Sequence, residues 1–194
     1  MAILKIARMG HPVLRRPAEP VETPIAAVVK QLATDMIETM LDAPGVGLAA
    51  PQVHVGWRVI VFRVPAERST GAPGDTVIEP QVLINPEIEP LTDEMALGWE
   101  GCLSIPGLRG AVPRWTRIRY RGLGLDGQPV EREATGFHAR VIQHEVDHLD
   151  AVLYLDRMPD LRLLTFTEEM KYFGTGFGAA PPPGEGRRAT DPQP

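Results

Sequence analysis

The sequence has few of the residues that define several common classes of protein. Its single cysteine, Cys102, cannot form an intramolecular disulfide bond, which excludes a secreted scaffold stapled by disulfides. No apolar run approaches the roughly 20 residues that span a bilayer, and the first residues lack the apolar core of a signal peptide. Basic residues are outnumbered, with 20 Lys and Arg against 25 Asp and Glu, and no basic tract forms a nucleic-acid motif. We therefore expect a cytoplasmic protein without a membrane or nucleic-acid partner.

The spacing of apolar residues predicts few helices and several short strands. Thr23 and Pro24 suit the start of the first helix, and Asp126-Gly127 is a favoured turn pair between two strands. The predicted helices cover residues 23–43, 136–152 and 161–173, and the predicted strands cover 58–64, 81–85, 116–123 and 128–134. Because the alternation of a doubly wound sheet is missing, the predicted class is α+β, with short mixed or antiparallel strands packed around a central helix.

Composition divides the chain into one folded domain and a tail. The 194 residues suit a single domain of ordinary size that buries a core. Residues 174–194 are rich in Gly and Pro and have too little apolar surface to order themselves, so we expect a flexible C-terminal tail. The segment 65–80, which mixes Ser, Thr, Gly and Pro, is expected to be an exposed loop.

The most specific local motif is the sequence HEVDH at residues 144–148. His144 and His148 are four residues apart, which places both imidazoles on one helix face about 40° apart. Glu145 is offset by about 100°, so it lies beside an ion held by the histidines and can take a proton from water. Burying these polar groups among the flanking apolar residues is costly unless something pairs them. The motif therefore predicts the metal site of a hydrolase, with glutamate as general base.

The identity of the third ligand is open on the motif alone. A catalytic site needs three protein ligands and an open position, and no histidine follows His148. Glu168 and Glu169 lie at a distance found in peptidases that use two histidines and a glutamate. Cys102 is the other candidate, because a thiolate is a strong ligand for soft or borderline divalent ions. A structural zinc module is a third interpretation, although a site closed by four ligands has no use for the base Glu145.

Three stretches together resemble the signature motifs of the peptide deformylase family. They are GVGLAAPQ at 45–52, EGCLS at 100–104 and QHEVDHL at 143–149, in the family's order and spacing, and GHPVLR at 10–15 fits its amino-terminal pattern. The resemblance covers roughly residues 1–173, which it implies are one catalytic domain with a deformylase-like fold around a metal-binding helix. It implies hydrolysis of the N-formyl group from the terminal formyl-methionine of newly synthesised polypeptides, with release of formate. It also implies transient contact with the ribosome.

The resemblance implies a specific metal centre. Cys102, His144 and His148 would bind one divalent ion, with water in the fourth position, and Glu145 would act as general base and then as general acid. The family favours Fe²⁺ as the ion in the cell, with Zn²⁺, Ni²⁺ or Co²⁺ as alternatives. A ligand set of one thiolate and two imidazoles suits all four of these ions.

The resemblance also implies the groups that contact the substrate. The side-chain amide of Gln52 and the backbone N–H of Leu103 would donate hydrogen bonds to the developing oxyanion. The remaining substrate contacts would be Gly45, Val46 and Gly47 along the peptide groove, Phe137 and Val141 in the methionine pocket, and Arg109 at the rim of that pocket. A tight space between the ion, Gly47 and Leu103 would favour formyl over bulkier acyl groups. Glu100 and Arg114 would form an ion pair behind the cysteine loop.

A few positions depart from the family pattern or keep two interpretations. Ala151 stands where glycine is usual, so the family pattern does not predict the turn that follows the helix. Arg140 stands at a position that is often apolar, so its side chain is expected at the edge of the pocket. Asp147 is expected either to orient a ligand histidine or to form a salt bridge on the helix surface. The segment 65–80 is an insertion relative to the family pattern.

Overall fold

Two antiparallel sheets enclose a central helix in this protein. The computed structural model describes residues 2–23 and 25–173. The helices are α1 (Ala27–Asp42) and α2 (Gly136–Leu149). The strands are β1 (Gly47–Ala49), β2 (Val59–Val64), β3 (Ile78–Pro90), β4 (Met95–Cys102), β5 (Ile105–Trp115), β6 (Arg117–Leu123), β7 (Pro129–Thr135) and β8 (Leu164–Phe166). Short 3-10 helices cover Pro12–Arg15, Ala50–Val53, Tyr154–Arg157, Leu161–Leu163 and Thr167–Phe173.

The sheets confirm the predicted α+β class. The larger sheet has the strand order β1-β2-β3-β6-β7 and the smaller sheet has the order β4-β5-β8, and every pairing within them is antiparallel. The predicted hairpin is present, since β6 pairs with β7 from Arg117 opposite Thr135 to Leu123 opposite Pro129. Gly127 adopts a left-handed φ of 78° in the turn between them, a conformation that glycine tolerates without steric cost.

Helix α1 is amphipathic and covers one face of the larger sheet. Its buried side chains recur at helical spacing and include Val29, Ala33, Met36 and Met40. The helix begins later than the sequence predicted, because Ala26 is the N-cap and no side chain caps it, so the prediction of Thr23 as the cap is wrong. Pro24 lies outside the described residues. The predicted end is correct, since Gly45 N–H donates to the Met40 carbonyl just beyond the last turn.

Helix α2 lies in the interior, and nearly all of its residues from His138 to Leu149 are buried. The carboxylate of Asp75 caps the first turn from a distance by accepting from His138 N–H at 3.0 Å, while the hydroxyl of the N-cap residue Thr135 donates to the Pro73 carbonyl. The buried Asp75 belongs to the segment 65–80, which therefore packs against α2 and is only partly an exposed loop. This insertion holds the start of the central helix.

The C-terminal part of the described chain differs from the prediction. The helix predicted over 136–152 ends at Leu149, and Ala151 takes a left-handed φ of 61° just after it. The helix predicted over 161–173 is wrong, because two 3-10 helices flank strand β8 there. Residues 164–166 pair with β5, and this pairing supplies their backbone hydrogen bonds in place of a helix. The tail predicted over 174–194 lies outside the described residues.

Candidate active site

The cysteine and the two helical histidines converge at one point. Cys102 is the last residue of β4, and its Sγ lies 3.2 Å from Nε2 of His148. One possible ligand atom from each of Cys102, His144 and His148 lies within 4.8 Å of the other two. Glu168 and Glu169 are exposed in the last 3-10 helix and lie outside this cluster. The structure therefore does not support the peptidase interpretation, in which one of these glutamates was the third ligand.

The neighbouring imidazoles favour the thiolate form of Cys102. Burial by itself would raise the pKa of the Cys102 thiol, but the neighbouring imidazoles of His148 and His144 lower it well below its ordinary value. The thiolate is the form of cysteine that binds metal ions. Nδ1 of His144 contacts Glu100 Oε2 at 2.8 Å, which leaves Nε2 of that ring for the cluster. One thiolate and two imidazoles are a donor set for Fe²⁺, Co²⁺, Ni²⁺ or Zn²⁺, and three ligands leave a position open.

The carboxylate of Glu145 lies beside this cluster. Its side chain is buried, and its Oε2 has no hydrogen-bond partner among the described residues. Burial raises the pKa of Glu145 to about 7, against the opposing effect of His144 and His148. Gly47 on β1 makes room for the carboxylate, because a Cβ there would lie only 2.1 Å from Glu145 Oε1. An unpartnered carboxylate with a pKa near neutrality is suited to moving a proton.

A buried ion network holds the histidine side of the site. Glu100 accepts two hydrogen bonds from Arg114, at 2.8 and 2.9 Å, and these lower the carboxyl pKa although burial opposes them. The predicted pair of Glu100 and Arg114 is therefore confirmed. Arg114 also donates to Asp147 at 2.6 Å, and Arg157 donates twice to the same carboxylate. Asp147 is thus buried in the network and acts on His144 only through Arg114 and Glu100.

Arg140 is a member of the same network. Its guanidinium donates to Glu100 Oε1 at 2.9 Å and to the carbonyls of Ala96, Gly98 and Val112. The absence of a side chain at Gly98 makes this possible, since a Cβ there would lie 2.5 Å from the guanidinium. The arginine therefore fastens α2 to strands β4 and β5 one helical turn before His144. It also lines the pocket, at the edge where the sequence predicted it.

The amide of Gln52 has a fixed orientation. Its Oε1 accepts from Ala49 N–H at 2.8 Å, which turns Nε2 toward Ser104 Oγ at 3.1 Å and Cys102 Sγ at 3.4 Å. Because the oxygen is occupied by the backbone, the N–H donors face the cluster. Leu103, which directly follows Cys102, lines the same cavity, and its side chain lies against Gly45.

A single cavity of about 340 Å³ joins these groups. The predicted site residues that line it are Gly45, Val46, Gly47, Gln52, Cys102, Leu103, Arg109, Phe137, Val141, His144 and Glu145. His148 is buried behind the cavity wall. Arg68 also lines the cavity, and sequence reasoning missed it together with Asp75. No local signal marks either residue, because both belong to an irregular segment whose position is set by contacts distant in sequence.

The fold and the site define a class of protein. The class is that of a metal-dependent hydrolase. Its marks are two histidines four residues apart on a helix, a thiolate from the end of a strand, an open coordination position, and an unpartnered glutamate in the cavity. No helix in the described part of the chain is long and apolar enough to cross a membrane.

Comparison with known proteins places the chain within this class. The family model described as polypeptide deformylase matches residues 3–163. Peptide deformylase 1 of Bordetella pertussis is 52% identical over 163 residues, which cover 84% of this chain and 92% of that protein. Peptide deformylase 1 of Nitrosomonas europaea is 46% identical over 168 residues, which cover 87% of this chain and 94% of that protein.

Solved structures agree with the sequence relatives. The crystal structure of peptide deformylase from Thermotoga maritima superposes with a TM-score of 0.74 at 38% identity, covering 82% of this chain and all of that one. A class I type b peptide deformylase from Acinetobacter baumannii with bound Met-Ala-Ser has a TM-score of 0.73 at 40% identity, covering 81% and 99%. The chain belongs to the peptide deformylase family, hydrolases that remove the N-formyl group from the terminal formyl-methionine of new polypeptides and release formate. The resemblance noted in the sequence is therefore confirmed.

Proposed function

We propose that Cys102, His144 and His148 hold one divalent ion and that Glu145 moves the proton in formyl hydrolysis. The observation that supports this assignment is the convergence of the three ligand atoms within 4.8 Å beside a buried carboxylate oxygen without a partner. A divalent ion bound by these ligands supplies Lewis acidity, which lowers the pKa of water toward 7 and polarises a carbonyl group.

Each residue around the ion has a separate role in the reaction. Glu145 removes a proton from the water that attacks the formyl carbon and then delivers it to the departing amine, which must leave uncharged. Gln52 Nε2 and the Leu103 N–H donate hydrogen bonds to the developing oxyanion. Each donor of this kind is worth about 3 kcal/mol in the barrier. The fixed orientation of the Gln52 amide means that this donor needs no rearrangement during the reaction.

The cavity accommodates the peptide in a defined direction. Phe137 and Val141 form the pocket for the methionine side chain, and Arg109 lies at its rim. Gly45, Val46 and Gly47 offer backbone groups to the extended peptide. The Acinetobacter baumannii relative with bound Met-Ala-Ser supports a peptide in this groove. A tight space between the ion, Gly47 and Leu103 would exclude acyl groups larger than formyl, so formyl-Met peptides should be hydrolysed faster than acetyl-Met peptides.

The cellular setting of the reaction is part of the same proposal. Fe²⁺ is the ion in the cell, with Zn²⁺, Ni²⁺ or Co²⁺ as functional substitutes for this donor set. The enzyme acts in the cytoplasm on polypeptides emerging from the ribosome, with which it associates transiently. Residues 1–173 form the catalytic domain.

Two substitutions test the assignment of the metal centre and the base. Cys102→Ser should lose the ion during anaerobic purification, because a hydroxyl is a weak ligand for borderline metals. Glu145→Gln should keep the ion, measured by elemental analysis, and lose formate release from a formyl-Met peptide by about 100-fold or more. Glu168→Gln is the matched control and should retain both. An ion that stays in Cys102→Ser, or full hydrolysis by Glu145→Gln, would reject the assignment.

A further inference from the structure

Two arginine side chains lie at the mouth of the cavity. The guanidinium carbon of Arg68 is 4.2 Å from the ring centroid of Phe137, which lines the cavity. Arg109 on β5 lies against the backbone at Gly101, where a Cβ would be 2.7 Å from its Nη1. Both arginines line the same opening through which a peptide reaches Glu145. The mouth therefore carries two positive charges in a protein whose net charge is −5.

The two guanidinium groups have unused hydrogen-bond donors. Each guanidinium carries five N–H groups, and within residues 2–23 and 25–173 neither donates a hydrogen bond to a protein acceptor. Burial lowers the pKa of Arg68, and repulsion from Arg109 lowers it further, while the adjacent Glu67 opposes both. The other acidic groups of the cavity do not neutralise the pair. Glu100 is bonded to Arg114, Arg140 and His144, and Glu145 lies deep against Gly47.

Arg68 is held in place by the segment that caps α2. Its backbone N–H donates to the Pro65 carbonyl at 3.0 Å. Two residues later, Thr70 donates to the buried Asp75 carboxylate through both its N–H and its hydroxyl, at 3.1 and 2.8 Å. Asp75 in turn accepts from the first turn of α2. These contacts fix the backbone at this point, and the guanidinium of Arg68 lies over the ring of Phe137.

We propose that Arg68 and Arg109 bind a side-chain carboxylate in the second or third residue of the substrate, so that acidic formyl peptides are preferred over their amide counterparts. The proposal deepens the deformylase function and rests on the assignment of the methionine pocket. A methionine against Phe137 would direct the following residues past the rim, where Arg68 lies over that ring and Arg109 lines the same opening. Guanidinium forks match the geometry of carboxylates and bind them more strongly than neutral amides.

Peptide pairs that differ only in charge test this inference. Formyl-Met peptides with Glu or Gln at the second position, and a second pair differing at the third, are compared at about 10 mM ionic strength, where screening is weak. For at least one pair, kcat/KM of the Glu peptide should exceed kcat/KM of the Gln peptide by about fivefold. This is the change in affinity expected from one partly exposed ion pair. The difference should lie in KM, because the carboxylate binds remote from the reacting carbon. It should vanish near 1 M salt.

Substitutions then assign the preference to the arginines. Arg68→Gln should bring the Glu to Gln ratio close to one while hydrolysis of the Gln peptide continues, and Arg68→Lys should retain part of the ratio. Arg109→Gln should also lower the ratio, which keeps the test decisive if one variant folds poorly. Arg121→Gln, at an exposed position of β6 outside the cavity, is the matched control and should keep the wild-type ratio. A wild-type ratio of one for both pairs, or a ratio that survives Arg68→Gln, would overturn the proposal. Hydrolysis of the Gln peptide reports the deformylase function separately.

Discussion

Replacing Asp75 with alanine should destabilise the protein through the N-terminus of its central helix. Asp75 is only 1% exposed and lies 63 residues before His138, whose backbone N–H it accepts at 3.0 Å. It also accepts two hydrogen bonds from Thr70. The side chain of the N-cap residue Thr135 accepts no hydrogen bond from the first turn, and its hydroxyl donates to the Pro73 carbonyl. Asp75→Ala therefore leaves buried donors at the start of α2 without a partner.

The size of the effect follows from the bonds that are lost. A helix cap is worth about 1 kcal/mol, and a hydrogen bond to a charged group contributes roughly 1.5–3 kcal/mol. Because the same carboxylate serves both the helix and Thr70, we expect a loss of about 3 kcal/mol in the free energy of unfolding. For a domain of this size that corresponds to a decrease in Tm of roughly 6–12 °C. Asp75→Asn keeps one acceptor oxygen and should lose about half as much.

The pH dependence distinguishes the carboxylate from simple packing. Burial by itself would raise the pKa of Asp75, but hydrogen bonds from His138 and Thr70 outweigh it and lower the pKa. A lowered pKa in the folded state contributes stability above the ordinary value near 4, and this contribution is lost as the pH falls. Urea unfolding of the wild type and Asp75→Asn should therefore give curves that differ at pH 7 and converge below about pH 4. Equal midpoints at pH 7 would refute the capping role.

Three further predictions follow from single contacts. Gly47→Ala should lower kcat by about 100-fold, because the Cβ of the alanine displaces Glu145. Gly56→Ala, where an added Cβ meets nothing within 4 Å, is the control and should leave kcat unchanged. Equal kcat values for the two variants in steady-state assays would contradict this. Ala151→Gly should raise Tm by roughly 2–4 °C, since it relieves a left-handed φ of 61°, and calorimetry showing no rise would count against strain there. Arg140→Met should release the metal ion to a chelator about tenfold faster, while Arg140→Lys should be intermediate; an unchanged rate would exclude a positioning role.

The chemistry of the site could be predicted from the sequence because its signals are local. His144 and His148 share a face because of the helical repeat, and the same repeat places Glu145 beside them, so sequence spacing alone determines the arrangement. The apolar stripe of α1 and the turn at Asp126-Gly127 likewise depend on neighbouring residues. Cys102 needed more than local spacing, since only the resemblance to a family separated it from Glu168 and Glu169 as third ligand.

The features that the sequence did not predict depend on contacts between residues far apart in the chain. Residues 161–173 contain enough apolar side chains for a helix, but pairing of β8 with β5 outweighs the helical preference. The segment 65–80 has the composition of an exposed loop, yet Asp75 within it is buried by contacts with α2. The sequence places Arg140 at the edge of the pocket but does not predict its four hydrogen-bond acceptors on β4 and β5 or the space that Gly98 leaves for its guanidinium. Composition carries no information on such contacts.

The central helix shows why its motif residues are easier to predict from the sequence than the residues that hold them in position. The ligands and base that we propose lie on adjacent turns, so their pattern occupies only five residues of sequence. Its supports must come from outside the helix, because a buried helix end cannot satisfy its own donors and a buried histidine needs an external partner. Asp75 and Glu100 meet these two needs from positions 61 and 36 residues before the helix begins. A substitution at either position should therefore alter the site as strongly as many changes within the motif, although neither belongs to HEVDH.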